Sequence, residues 1–206
     1  MHRAEHKPAE KRPTRQASGA AWKAGLFCLV VLAGATARQA RSQSSAEEYQ
    51  VKAAFLFHFA QLVEWPGGAL DSGDATVTLC IFADEPHRRE FQNTLEGKPM
   101  GGRVFHLRLL AAAQDLHGCN LVFLSREEAR RQSAILMSLR GQPVLTVGES
   151  ASFLADGGII RFRLDEDKVR FEINPAAADA AHLKISSRLL LLANAATPAS
   201  GAEKAR

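Results

Sequence analysis

The sequence predicts an α/β fold: one domain, a largely parallel sheet with helices on both faces, and an antiparallel hairpin at one edge. Three observations predict it. Short apolar, β-branched runs alternate along the chain with segments of helical periodicity, the pattern of parallel sheets crossed over by helices. One of those runs, Cys119 to Ser125 (CNLVFLS), is almost continuously apolar, as expected of a strand covered on both faces. Near the end, Gly158 to Leu164 and Lys168 to Ile173 alternate strictly, the pattern of a half-buried hairpin.

The elements follow in order. Ser45 and Glu48 have capping-box spacing, so a helix is expected to start there and run to about Trp65, where Pro66-Gly67-Gly68 stops it. Its core, VKAAFLFHFAQLVEWP, is interrupted by His58 and Gln61 and is too short to span a bilayer, which needs about 20 apolar residues. Val51, Phe55, Leu62 and Val63 are assigned to the sheet-facing stripe. Phe57 and His58 fall on a second side, expected to meet either a dimer partner or the last helix. Ala75 to Phe82 is a strand, ended by Asp84-Glu85-Pro86, and Pro86 to Leu95 is a helix with proline at its start. A Gly/Pro turn over Gly97 to Gly102 leads into the strand Val104 to Leu109. After the Cys119 strand come an amphipathic helix (Arg126 to Arg140), a short buried strand (Pro143 to Val147) and a short helix (Glu149 to Ala155). Asp165-Glu166-Asp167 turns the hairpin. Asn174-Pro175 caps a helical segment, and Leu183 to Asn194 is a final amphipathic helix.

Before the domain, a basic stretch to Lys23 is followed by the apolar run Ala24 to Gly34 and by Ala35-Thr36-Ala37. That order predicts a cleaved secretory signal peptide over residues 1–37. No small residues immediately precede Cys28, which argues against a lipoprotein anchor, and no stable membrane insertion is expected after cleavage. Residues 38–46 are then a flexible lead-in, 47–196 the domain, and 197–206 a disordered tail.

Cleavage changes the charge. The formal net charge of +4 belongs to the leader: beyond residue 37 stand 20 of the 26 Lys/Arg and 20 of the 22 Asp/Glu. A nucleic-acid partner demands a basic excess that this remainder lacks, so none is expected. Two cysteines also remain, Cys80 and Cys119, and an even pair in an exported chain implies a disulfide.

No catalytic constellation emerges. The glycine pairs do not form GxGxxG, no GK[ST] follows a strand, and Gly148-Glu149-Ser150-Ala151-Ser152 lacks the last glycine of a nucleophile elbow. The histidines at 58, 87, 106, 117 and 182 are scattered, so neither metal nor cofactor is expected. Asp84, Glu85 and Ser125 follow strands, where open α/β sheets place ligand crevices, although acids in a helix-entry turn are the commoner reason for such residues. Arg103, Arg108, Arg161, Arg163 and Arg170 lie on strands and form either a solvated sheet face or a binding surface.

Four segments together resemble one family: EYQVKAAFLFHFAQLVEWP, VTLCIFADEP, CNLVFLS and KVRFEINPAAADAAHLKISSRLLLLA. They are similar to the YfiR family of periplasmic repressors of a membrane-bound diguanylate cyclase. The resemblance implies a compact α/β homodimer in the Gram-negative periplasm. It would be a binding protein and not an enzyme, holding down a cyclase through that enzyme's periplasmic sensor portion. An OmpA-like outer-membrane lipoprotein would sequester it, raising cyclic-di-GMP and favouring biofilm. The resemblance also makes Cys80 and Cys119 the family's structural disulfide and places Glu172, in RFEIN, on the segment that contacts the cyclase, with Arg170 beside it. A second cysteine pair common in the family is replaced here around Phe153, Leu154, Ile160 and Arg161. Two other functions compete with this reading: a periplasmic small-ligand sensor using the crevice near Asp84, and, more remotely, an exported hydrolase.

Overall fold

The computed structural model describes residues 45–67, 70, 75–111 and 115–195. The proposed signal peptide, most of the lead-in and the C-terminal tail lie outside them. The described residues belong to a single α/β unit built on a seven-stranded sheet and a separate two-stranded one.

The first helix, α1, covers residues 45–62. It is followed by β1 (Val63–Glu64), β2 (Thr76–Phe82), α2 (Glu85–Leu95), β3 (Pro99–Met100), β4 (Arg103–Leu109) and β5 (Leu121–Leu124). A 3-10 turn over Arg126–Glu128 leads into α3 (Ala129–Ser138), then β6 (Leu145–Gly148), β7 (Ile160–Asp165), β8 (Lys168–Ile173), α4 (Pro175–Ala180), β9 (Lys184–Ile185) and α5 (Ser187–Ala195). The large sheet runs β3-β4-β2-β5-β6-β7-β8. From β4 to β7 every neighbour is parallel, while β3 and β8 close the two edges antiparallel.

The alternation of each strand sorts its side chains between two cores. Val77, Leu79 and Ile81 of β2 and Leu121 and Phe123 of β5 face α1, α2 and α5. Cys80, Phe82, Val122 and Leu124 face α3 with Ile135, Leu136 and Leu139. Both faces are thus covered, which is why LVFL of β5 is apolar throughout. Asn174 caps α4 as expected, accepting the Ala177 N–H at 3.1 Å.

Several expectations are corrected. Helix α1 ends at residue 62, short of Trp65, because the residue before Pro66 is pushed toward extended backbone and the chain leaves as β1. That strand pairs with β9, which takes Lys184–Ile185 out of the expected final helix. Ser45 and Ala46 are already helical, and the capping-box pair is engaged elsewhere: the Ser45 hydroxyl meets His87 and Glu48 meets Lys52. Residues 151–157 are turns where a helix from Glu149 was expected. Ser150 is drawn to Gln132 of α3, Ser152 bonds locally to Asp156, and Phe153 turns inward between Gly148 and Gly158, all of which compete with helix there.

The buried arc of α1 is also not the one expected. Tyr49, Ala53, Leu56, Phe57, Phe59 and Ala60 are buried, whereas of the expected stripe only Val63, which has passed into β1, is buried; Val51 is 45% exposed and Phe55 and Leu62 only half-buried. Phe57 is 9% exposed and packs on Phe105 of β4, with its ring under Lys98. It belongs to the protomer's own core, which removes it from any dimer contact. Apolar residues cover more than one side of this helix, so periodicity alone could not choose among the stripes.

Candidate functional site

Two polar regions stand out. The first lies where the carboxyl ends of β2, β5 and β6 meet the start of α1. Glu149 follows β6 directly. One of its oxygens accepts the Tyr49 hydroxyl and the Arg126 N–H, each at 3.0 Å, and the other accepts the Lys52 ammonium. The side chains of Lys52 and Glu149 are each only 3% exposed. Lys52 also pairs with Glu48 and lies 4.1 Å from the centre of the Tyr49 ring. Tyr49 stacks on His87 at 3.7 Å, and His87 pairs with Asp84 and Ser45. Burial, then the charge of Glu149 and its hydrogen bond, raise the Tyr49 pKa far above the ordinary tyrosine range, so Tyr49 stays a donor.

This arrangement is a clasp. A buried ion pair needs every remaining polar valence satisfied, and here α1 brings the donors to an acceptor at the sheet's end. The three residues expected to line a crevice do not converge on an open one: Asp84 is taken up by His87, Glu85 is exposed and faces Arg88 and Arg89, and Ser125 is 1% exposed. Lys52 and Glu149 were missed in the sequence. Their one signal was a lysine inside the dense apolar run Val51 to Phe59.

The second region is the hairpin β7–β8. Its inward residues, Phe162 and Phe171, pack on Phe55 and Phe59 of α1. The other face therefore carries Arg161, Arg163 and Asp165 from β7 and Lys168, Arg170 and Glu172 from β8. Register pairs them as Arg161↔Glu172, Arg163↔Arg170 and Asp165↔Lys168. Arg161 donates to Glu172 through Nε at 3.0 Å and Nη2 at 2.5 Å, and to the Ala151 carbonyl through Nη1 at 2.6 Å. Arg163 Nε is 3.5 Å from the other Glu172 oxygen. Glu172 is thus held between two arginines on its own sheet, beside Arg170. His58 lies elsewhere, exposed on α1 beside Gln61, at the rim of a depression of about 380 Å³ shared with Phe55, Phe59 and Arg188. The structure does not bring His58 together with Glu172.

Cys80 and Cys119 are joined by a disulfide with Cα atoms 5.8 Å apart, linking β2 to the approach of β5 in the core under α3. Among the described residues no cluster of His, Cys, Asp and Glu could hold a metal ion, and no helix is long and apolar enough to cross a membrane.

Residues 49–194, nearly the whole described unit, match the model of a family described as YfiR/HmsC-like. No curated protein matches the chain. Among solved structures it is similar to a conserved domain protein from Vibrio cholerae, at 9% identity and a TM-score of 0.39. That match covers 61% of this chain and 55% of the Vibrio one, so the chain spans about half that protein's length.

Proposed function

We propose that this chain, which belongs to the YfiR/HmsC-like family, is an exported periplasmic regulator that represses an inner-membrane diguanylate cyclase by direct contact. The family is a regulatory one, and the observation that carries the reading is the match of its model to residues 49–194. The buried disulfide suits an oxidising compartment. The clasp at the strand ends supports a binding role over a catalytic one, since it uses the buried acid and base of that crevice to fasten α1. In this reading the charged hairpin face around Arg170 and Glu172 meets the cyclase's periplasmic sensor portion. A homodimer is the working assembly, and an OmpA-like lipoprotein relieves repression by sequestering it. The test is co-purification from the native host after crosslinking in intact cells. A tagged copy should bring down a membrane protein with a diguanylate cyclase domain. Its recovery only with cytoplasmic proteins would refute the reading.

A further inference from the structure

We infer that the open face and outer edge of β8 bind an extended acidic segment of a partner protein, with a partner carboxylate on the guanidinium of Arg170. This deepens the regulator reading and rests on it for who the partner is, but not for the surface itself.

The edge comes first. β8 pairs with β7 on one side, and no described strand lies on the other. The hairpin closes through a two-residue turn, Glu166 and Asp167, both at positive φ. That turn makes Asp165↔Lys168, Arg163↔Arg170 and Arg161↔Glu172 the hydrogen-bonded pairs, so the main-chain groups of Val169, Phe171 and Ile173 point outward without a ladder partner. An extended segment can add there by strand pairing.

Charge selects the segment. The open face carries four cations and two acids. Arg161 and Glu172 satisfy each other, and Asp165 lies 3.5 Å from Arg163. Arg170 has no carboxylate partner among the described residues, and its Nε is buried without an acceptor. It also stands directly opposite Arg163, a like-charge pairing that destabilises a sheet. A residue on an added strand, opposite Arg170 and on the same face, would sit at the close, non-hydrogen-bonded spacing. A glutamate or aspartate there meets the terminal Nη groups of Arg170 and offsets the like-charge pair through a charge-assisted, bidentate bond. Cations along an edge ordinarily block strand addition. Here they repel a basic strand, disfavour a neutral one that would leave them desolvated and unpaired, and admit an acidic one.

The test is amide and Arg Nε NMR on the purified, oxidised protein. It is titrated with a capped peptide of alternating valine and glutamate, with the same peptide carrying glutamine for glutamate, and with inorganic phosphate. The acidic peptide alone should shift the amides of Val169, Phe171 and Ile173 together with Arg170 Nε–H. Arg170→Gln should weaken it about tenfold or more, with the melting temperature unchanged or raised, since the like-charge pair with Arg163 is removed. Arg170→Lys, which keeps the charge and loses the fork, should fall between and serves if the glutamine variant does not fold. Equal binding of the glutamine peptide, no amide shifts with the acidic one, or saturation of Arg170 by phosphate alone would each overturn the inference. None of these outcomes bears on whether loss of the protein raises cyclic-di-GMP, so the two claims can fail separately.

Discussion

Phe153 is fully buried with Gly148 on one side and Gly158 on the other. A Cβ added to either glycine would come within 2.2 Å of the phenyl ring. Gly158→Ala should therefore cost about 3 kcal/mol through overpacking, measured by urea unfolding, while Gly67→Ala, with open space around it, should cost far less. The Gly157-Gly158 pair announces a turn in the sequence, but nothing there says that an aromatic ring fills the space between two glycines ten residues apart. Tyr49 offers a second check. Its pKa is raised in the folded protein, so its contribution is present below its unfolded value near 10.0 and is lost as pH rises above it. Stability should fall by about 1.4 kcal/mol per pH unit there from this group. In Tyr49→Phe that part of the slope should vanish, in chemical denaturation followed from pH 9 to 11.

At the scale of elements, α1 is the clearest case of what a sequence can and cannot disclose. Its existence was legible from the density of apolar residues and the Pro66 stop. Its buried face was not, because apolar side chains cover more than one side and the choice is made by Phe105, Phe123 and Phe162, which are remote in sequence. The Lys52–Glu149 clasp depends on residues 97 apart and was invisible for the same reason. Lys52→Met leaves Glu149 buried without its cation and should cost about 3–5 kcal/mol. Adding Glu149→Gln should recover part of that loss, read from unfolding midpoints of both variants. The hairpin, by contrast, was legible in its two faces, since strict alternation fixes them. Its ends were not: β7 starts at Ile160 rather than Gly158 and takes in Asp165, which pairs with Lys168, so the turn is Glu166-Asp167 and not the expected three residues. β1, β3 and β9 were missed because two-residue strands carry no periodicity and exist only through their partners.

For the whole molecule, the parallel sheet with covered faces was legible because β5 and the second half of β2 are apolar on both sides, and β6, with Thr146 on one face, is buried on both. The strand order was not, being set by crossovers. The disulfide ties β2 to the start of its neighbour β5 across 39 residues, a loop whose closure is worth up to about 4 kcal/mol. Cys80→Ser should lower the melting temperature under oxidising conditions and leave it unchanged under reducing ones. The central claim is repression of a diguanylate cyclase from outside the inner membrane. Cyclic-di-GMP measured in cells lacking the gene tests it most directly, with complementation by the full chain and by a chain without residues 1–37. The account predicts a rise on deletion, reversed by the full chain and not by the leaderless one. Unchanged cyclic-di-GMP on deletion would contradict it.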